Sequence, residues 1–115
     1  MTTKRGDVVL VQFPRSDLHG WDRRPALVVQ ADGLATALPQ VVLAMITTNL
    51  SRAGHPSRVL VLLSSPAGVA SGLLADSVIM TDNLATVLEK AVHSVIGTIP
   101  DMKDVDIALR HTLAL

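Results

Sequence analysis

The chain has 115 residues, no cysteine, ten Lys/Arg balanced by ten Asp/Glu, and 49% hydrophobic against 17% charged residues. This excludes a disordered tail, a disulfide framework and thiolate chemistry, and predicts one domain over residues 1–115. With one Phe, one Trp and no Tyr the chain also lacks a base-stacking platform, and its charge is lopsided: residues 1–58 carry seven Lys/Arg against four Asp, and residues 59–115 carry three against six.

Asp7–Phe13 is a β-branched run closed by Pro14 and predicts the first strand. A polar loop follows over Arg15–Asp22. Arg24–Gln30 predicts a second strand, entered through Pro25, which holds Arg24 in extended geometry. Ala31–Gln40 contains Asp-Gly and Pro and reads as a loop, Val41–Thr47 as the third strand, and Thr48–Pro56 as a polar loop. Ser57–Leu63 predicts the fourth strand. Ser64–Leu74, rich in Ser, Gly and Ala, reads as a connection. Asp76–Leu84 and Ala91–Ile99 predict two further strands, with a short helical turn around Thr86–Lys90. Beyond Pro100 the period changes: Met102, Val105, Leu109, Thr112 and Leu113 fall at helical spacing behind an acidic first turn, predicting a helix over residues 101–113.

These elements make a mainly β fold, a small curled antiparallel sheet or barrel closed by a C-terminal helix. Val8–Val11 is apolar on both alternating faces, so something must cover each side: the core on one, the helix or a second subunit on the other. The apolar run after the start is too short for a signal peptide, and no run is long enough for a membrane span. The expected place is the cytoplasm, with no membrane partner.

The usual chemical signatures are absent. The chain has no Gly-rich phosphate loop, no His-Glu-x-x-His and no nucleophile elbow, and Asp7, Asp17 and Asp22 form no dense ligand cluster. No metal and no cofactor is expected. The four histidines, His19, His55, His93 and His111, stand apart in sequence and read as scattered residues rather than an acid–base pair. What remains is a pattern of strand ends. Arg5-Gly6-Asp7 opens the first strand, Arg24-Pro25-Ala26 the second, and Ile46-Thr47-Thr48-Asn49 closes the third. An arginine fork and a threonine hydroxyl on neighbouring ends would suit one phosphate. Taken alone, the same residues also suit plain structural roles: Arg24 paired with Asp22 or Asp7, Thr47 as an ordinary strand residue, Trp21 as a cap over the barrel end.

The ordered set Lys4-Arg5-Gly6-Asp7-Val8, Arg24-Pro25-Ala26-Leu27-Val28-Val29, Ile46-Thr47 with its polar loop, Asp76-Ser77-Val78-Ile79 and the terminal helix resembles the MazF/PemK (Kid-like) toxins of type II toxin–antitoxin systems. The resemblance runs through essentially the whole chain. It implies an SH3-like β-barrel of the CcdB/Kid/MazF kind with a C-terminal helix, usually a homodimer. It also implies a metal-independent endoribonuclease that cuts single-stranded mRNA at short sequences, leaving a 2′,3′-cyclic phosphate and a 5′-hydroxyl, and that a cognate antitoxin neutralises. Carried over residue by residue, the catalytic pair becomes Arg24, immediately before the proline, and Thr47. Thr48 is the substitute if the register slips by one. RNA contacts fall on Asp17, His19 and Trp21 of the first loop and on Asn83. That loop, Asp17-Leu18-His19-Gly20-Trp21-Asp22, departs from the family's Gly-Ser-Glu-Gln-Gly-like sequence, so the cleavage sequence does not carry over. The alternative on the same fold is a CcdB-like toxin that binds and poisons DNA gyrase without catalysis.

Overall fold

A computed structural model describes residues 2–14, 17 and 19–115 of the chain. Its strands are β1 (Asp7–Pro14), β2 (Trp21–Val28), β3 (Gln40–Thr47), β4 (Arg58–Val61), β5 (Ser77–Leu88) and β6 (Val92–Thr98). They form one antiparallel sheet in the order β4-β5-β3-β2-β1-β6. The sheet stays open, with β4 and β6 as its edges, so of the two expected forms the curled sheet is realised and not the closed barrel.

Two helices accompany it. The terminal helix α2 (Lys103–Leu113) lies where the periodicity placed it. The helix α1 (Pro66–Ser71) lies inside the stretch read as a mere connection. Its signals are local: the Ser65 side chain accepts the Gly68 N–H at 3.0 Å, Pro66 occupies the first turn, and Gly72 ends the helix at φ +71°. A richness in Ser, Gly and Ala masked them. Two other boundaries move. Strand β2 begins at Trp21, because the hairpin with β1 pairs Pro14 with Trp21, and β5 runs on to Leu88 because β3 pairs it as far as Gln40. The short helical turn therefore falls later, at Glu89–Ala91.

Successive strand residues point to opposite faces. One face gathers Val8, Leu27, Ala44, Ile46 and Ile79, with Val105 from α2 laid over them. The other gathers Val9, Val11, Ala26, Val28 and Leu43. Both faces of the Val8–Val11 run are therefore buried within the chain. Each such side chain contributes about 1.5–3 kcal/mol of transfer free energy.

Two of the register's interruptions bear on the site. Val29 donates its N–H to Val42 across β3, while the Val28 carbonyl accepts from Gly6 on the β1 side. Odd residues of β2 thus address β3, as alternation in an antiparallel ladder requires. Pro25 is odd and has no N–H, and the β2–β3 ladder stops at Ala26↔Met45. Beyond it the start of β2 is paired to β1 alone. In β5, Met80 pairs with Met45 but Leu84 pairs with Ala44, so Thr81, Asp82 and Asn83 bulge out of the ladder.

Candidate active site

Alternation settles which of the two adjacent arginines belongs to which face. Arg24 sits across from Val11 and shares the face of Ala26 and Val28; Arg23, across from Gln12, takes the other. Continuing the Ala26↔Met45 register by two residues sets Arg24 opposite Thr47, the last residue of β3, on that same face. The break at Pro25 lies between them. The extended register thus sets the two residues on one face, at the end of β3 where the β2–β3 pairing has stopped.

Neither is consumed by the fold. The Arg24 Nη2 stands 3.6 Å from the Asp22 Oδ2, two residues earlier on the same face, and its side chain is 54% exposed. That separation is beyond good hydrogen-bond length, and such exposed pairs have little energetic weight. The structural role considered for Arg24 thus involves Asp22 and not Asp7, whose carboxylate accepts the Lys4 N–H at 2.8 Å. The Thr47 Oγ1 accepts the Asn49 N–H at 3.1 Å, which fixes its direction and leaves its own proton to give. Asn49 in turn accepts from the Ser51 N–H at 3.2 Å and the Ser51 hydroxyl at 2.6 Å, closing the turn that ends β3.

The other expected residues divide. Thr48 turns to the opposite side, where with Leu10, Pro25, Leu73 and Leu74 it lines an apolar cavity of about 380 Å³. The register therefore pairs Arg24 with Thr47 and not with Thr48. In the first loop the Asp17 Oδ1 accepts the His19 N–H at 2.9 Å, and both residues are exposed. Arg15, Ser16 and Leu18 of that loop lie outside the described residues. Trp21 is 67% exposed, and its parity is that of Arg23. Asn83 is exposed within the β5 bulge.

Three groupings escaped the sequence. Arg5 clamps the N-terminus: its N–H reaches the Asp32 Oδ1 at 2.8 Å, its Nε the Val29 carbonyl at 3.0 Å and its Nη2 the Asp106 Oδ1 at 2.6 Å. Arg58 and Asp82 form an ion pair at 2.7 Å, and the guanidinium holds the Asp82 carboxyl below its ordinary range. His55 and His111 are not scattered. Their rings meet edge to face with centroids 6.1 Å apart, and His55 Nδ1 accepts the Ser57 N–H at 3.0 Å. The separation of 24 positions between Arg58 and Asp82 hid that pairing, since the β4–β5 register joins them.

An open antiparallel sheet with a terminal helix defines a class of small β proteins, and solved structures with that fold superpose on this one. An endoribonuclease in complex with its cognate antitoxin from a Mycobacterial species is 23% identical, with a TM-score of 0.75 over 99% of this chain and 97% of that one. The Mycobacterium tuberculosis toxin MazF-mt6 is 22% identical, with a TM-score of 0.74 over 95% and 97%. A MazE–MazF complex from Deinococcus radiodurans gives 18% and 0.73 over 100% and 98%. At these identities the likeness shows a shared fold. No curated protein sequence matches the chain. A family model does: residues 4–113 match the PemK-like, MazF-like toxin of type II toxin–antitoxin systems, and the chain belongs to that family.

Proposed function

We propose that the protein is a toxin endoribonuclease, an mRNA interferase that cuts single-stranded RNA with Arg24 and Thr47 as its catalytic pair. The observation that supports this reading is the register: extended past its last pair, Ala26↔Met45, it sets Arg24 and Thr47 on one face beside the break in the β2–β3 ladder, each with donors not taken up among the described residues. RNA supplies its own nucleophile. The 2′-oxygen attacks the adjacent phosphorus as its proton leaves, and the bond from phosphorus to the 5′-oxygen breaks. That oxygen takes up a proton, leaving a 2′,3′-cyclic phosphate and a 5′-hydroxyl. Charge builds on the non-bridging oxygens. The Arg24 fork binds them and the Thr47 hydroxyl adds a second donor, each strongest in the transition state.

Arg24 acts here by charge and not by giving up a proton, because a guanidinium is a permanent cation and a poor proton donor. Water or His19, exposed in the adjoining loop, serves as the proton carrier. A pH–rate profile flat around neutrality removes His19 from that role.

Family membership and the antitoxin-bound relatives support a cognate antitoxin as partner, its acidic, disordered tail occupying the RNA site. They favour this over the gyrase-poisoning alternative. The cavity beside Thr48, with Leu74 96% exposed, is assigned to a second copy of the chain in a homodimer. Among the described residues no helix is long and apolar enough to cross a membrane, and the mRNA substrate puts the site of action in the cytoplasm.

The deciding experiment is incubation of purified protein with a long single-stranded RNA in EDTA. Discrete cuts ending in cyclic phosphate, lost in Arg24→Ala, support the reading. Intact RNA with inhibited gyrase overturns it.

A further inference from the structure

The cross-strand register links two corners of one sheet face. Thr47 pairs with Val78, which pairs with Leu60; Met45 pairs with Met80, which pairs with Arg58. Directly opposed residues share a face. Arg58 therefore projects from the face that carries Arg24 and Thr47, one row away and two strands along. For a flat sheet this is about 12 Å between the Thr47 and Arg58 Cα atoms. One phosphate cannot span that gap, but one strand of RNA can.

The guanidinium of Arg58 is held unusually firmly for a surface arginine. Its Nε and Nη2 face the two Asp82 oxygens at 3.4 and 2.7 Å, and its Nη1 donates to the Arg52 carbonyl at 3.3 Å. Arginine has five N–H donors in one plane. Three are used here, and the two that remain, one on each Nη, form the end-on edge of the fork. The side chain is 20% exposed, so this edge is presented with most of the stem packed away. The bulge that lifts Asp82 out of the β3 ladder is what brings the carboxylate to Arg58. Asn83 is exposed in the same bulge, and the His55–His111 pair stands beside it.

We propose that Arg58, oriented by Asp82, is a second phosphate-binding residue that grips the RNA backbone a few nucleotides from the cut. It rests on the ribonuclease reading above and adds a positioning role. Asp82 fixes the fork's direction but subtracts charge, so the two residues have opposite effects on affinity. A purely structural ion pair has no such asymmetry.

The test measures binding of a single-stranded oligoribonucleotide, made uncleavable by a 2′-deoxy sugar at the cut, across a salt series. Arg58→Gln is expected to weaken binding about tenfold and to lower the slope of log affinity against log salt by about 0.7, the value for one single-strand phosphate contact. Asp82→Asn is expected to tighten binding. In cleavage, Arg58→Gln should raise KM on long RNA with kcat nearly unchanged. If wild type binds but both variants match it in affinity and slope, the Arg58 proposal is overturned while the catalytic reading stands. Loss of affinity for an acidic peptide with RNA binding intact also overturns it, in favour of a protein ligand. A wild type that binds no single-stranded RNA removes both.

Discussion

Arg5, just before β1, and Arg24, within β2 beyond the end of its β3 pairing, are used by the structure in opposite ways. Arg5 spends its backbone N–H, its Nε and its Nη2 on Asp32, Val29 and Asp106, tying the N-terminus to β2's exit and to α2. Its neighbour Gly6, at φ +93°, lets the chain turn there: its N–H meets the Val28 carbonyl, and its own carbonyl accepts from Ile99. Among the described residues, the ion-pair contact of Arg24 is a long one to Asp22. An arginine whose donors are committed to the fold holds the fold; one whose donors face solvent beside a second donor is available to a substrate. The residue type is the same in both.

This contrast can be broken by mutation. The largest expected effect is Arg24→Ala, which should lower the rate of RNA cleavage by two orders of magnitude or more, about 3 kcal/mol, while leaving urea unfolding unchanged. A loss of stability instead would move Arg24 into the class of Arg5. Thr47→Val should lower cleavage about tenfold or more, and combined with Arg24→Ala should cost less than the sum, because both act on one charge. Arg5→Ala should do the reverse. It removes hydrogen bonds to a charged group between elements far apart in sequence, and equilibrium unfolding should show a loss of about 2 kcal/mol.

The smallest effect concerns acid. Arg58 lowers the Asp82 carboxyl below its usual value, so the unfolded chain takes up that proton first as pH falls. The contribution of Asp82 is thus complete above about pH 4, the ordinary carboxylate range, and is lost as pH falls through the lowered value. Urea midpoints measured through that window should fall less steeply in Asp82→Asn than in wild type.

Some of the site was readable before any coordinates. Arg24 was chosen over Arg23 because the family resemblance sets the arginine immediately before the proline, and alternation sends its neighbour to the opposite face. Thr47 likewise came from the resemblance, which sets the threonine after the apolar end of the third strand. The first-loop residues Asp17, His19 and Trp21 were named from resemblance, and they surround the hairpin without touching the Arg24–Thr47 gap in the described residues. The helix α1 was missed although its cap and stop were written in Ser65, Pro66 and Gly72, because a six-residue helix has no room for a periodic apolar face. Gly97 shows what such a short element depends on: a Cβ there would lie 2.3 Å from the Ser71 backbone, so α1 lies directly against β6.

The order of residues alone determined the β-rich character, the terminal helix and the face each strand residue takes, since all three follow from periods and breakers acting within a few positions. Tertiary structure decided what stands beside what: Asp82 against Arg58, His111 against His55. Pairing across a sheet is set by registers, a proline gap and a three-residue bulge that join distant segments, and a local pattern contains no term for that distance.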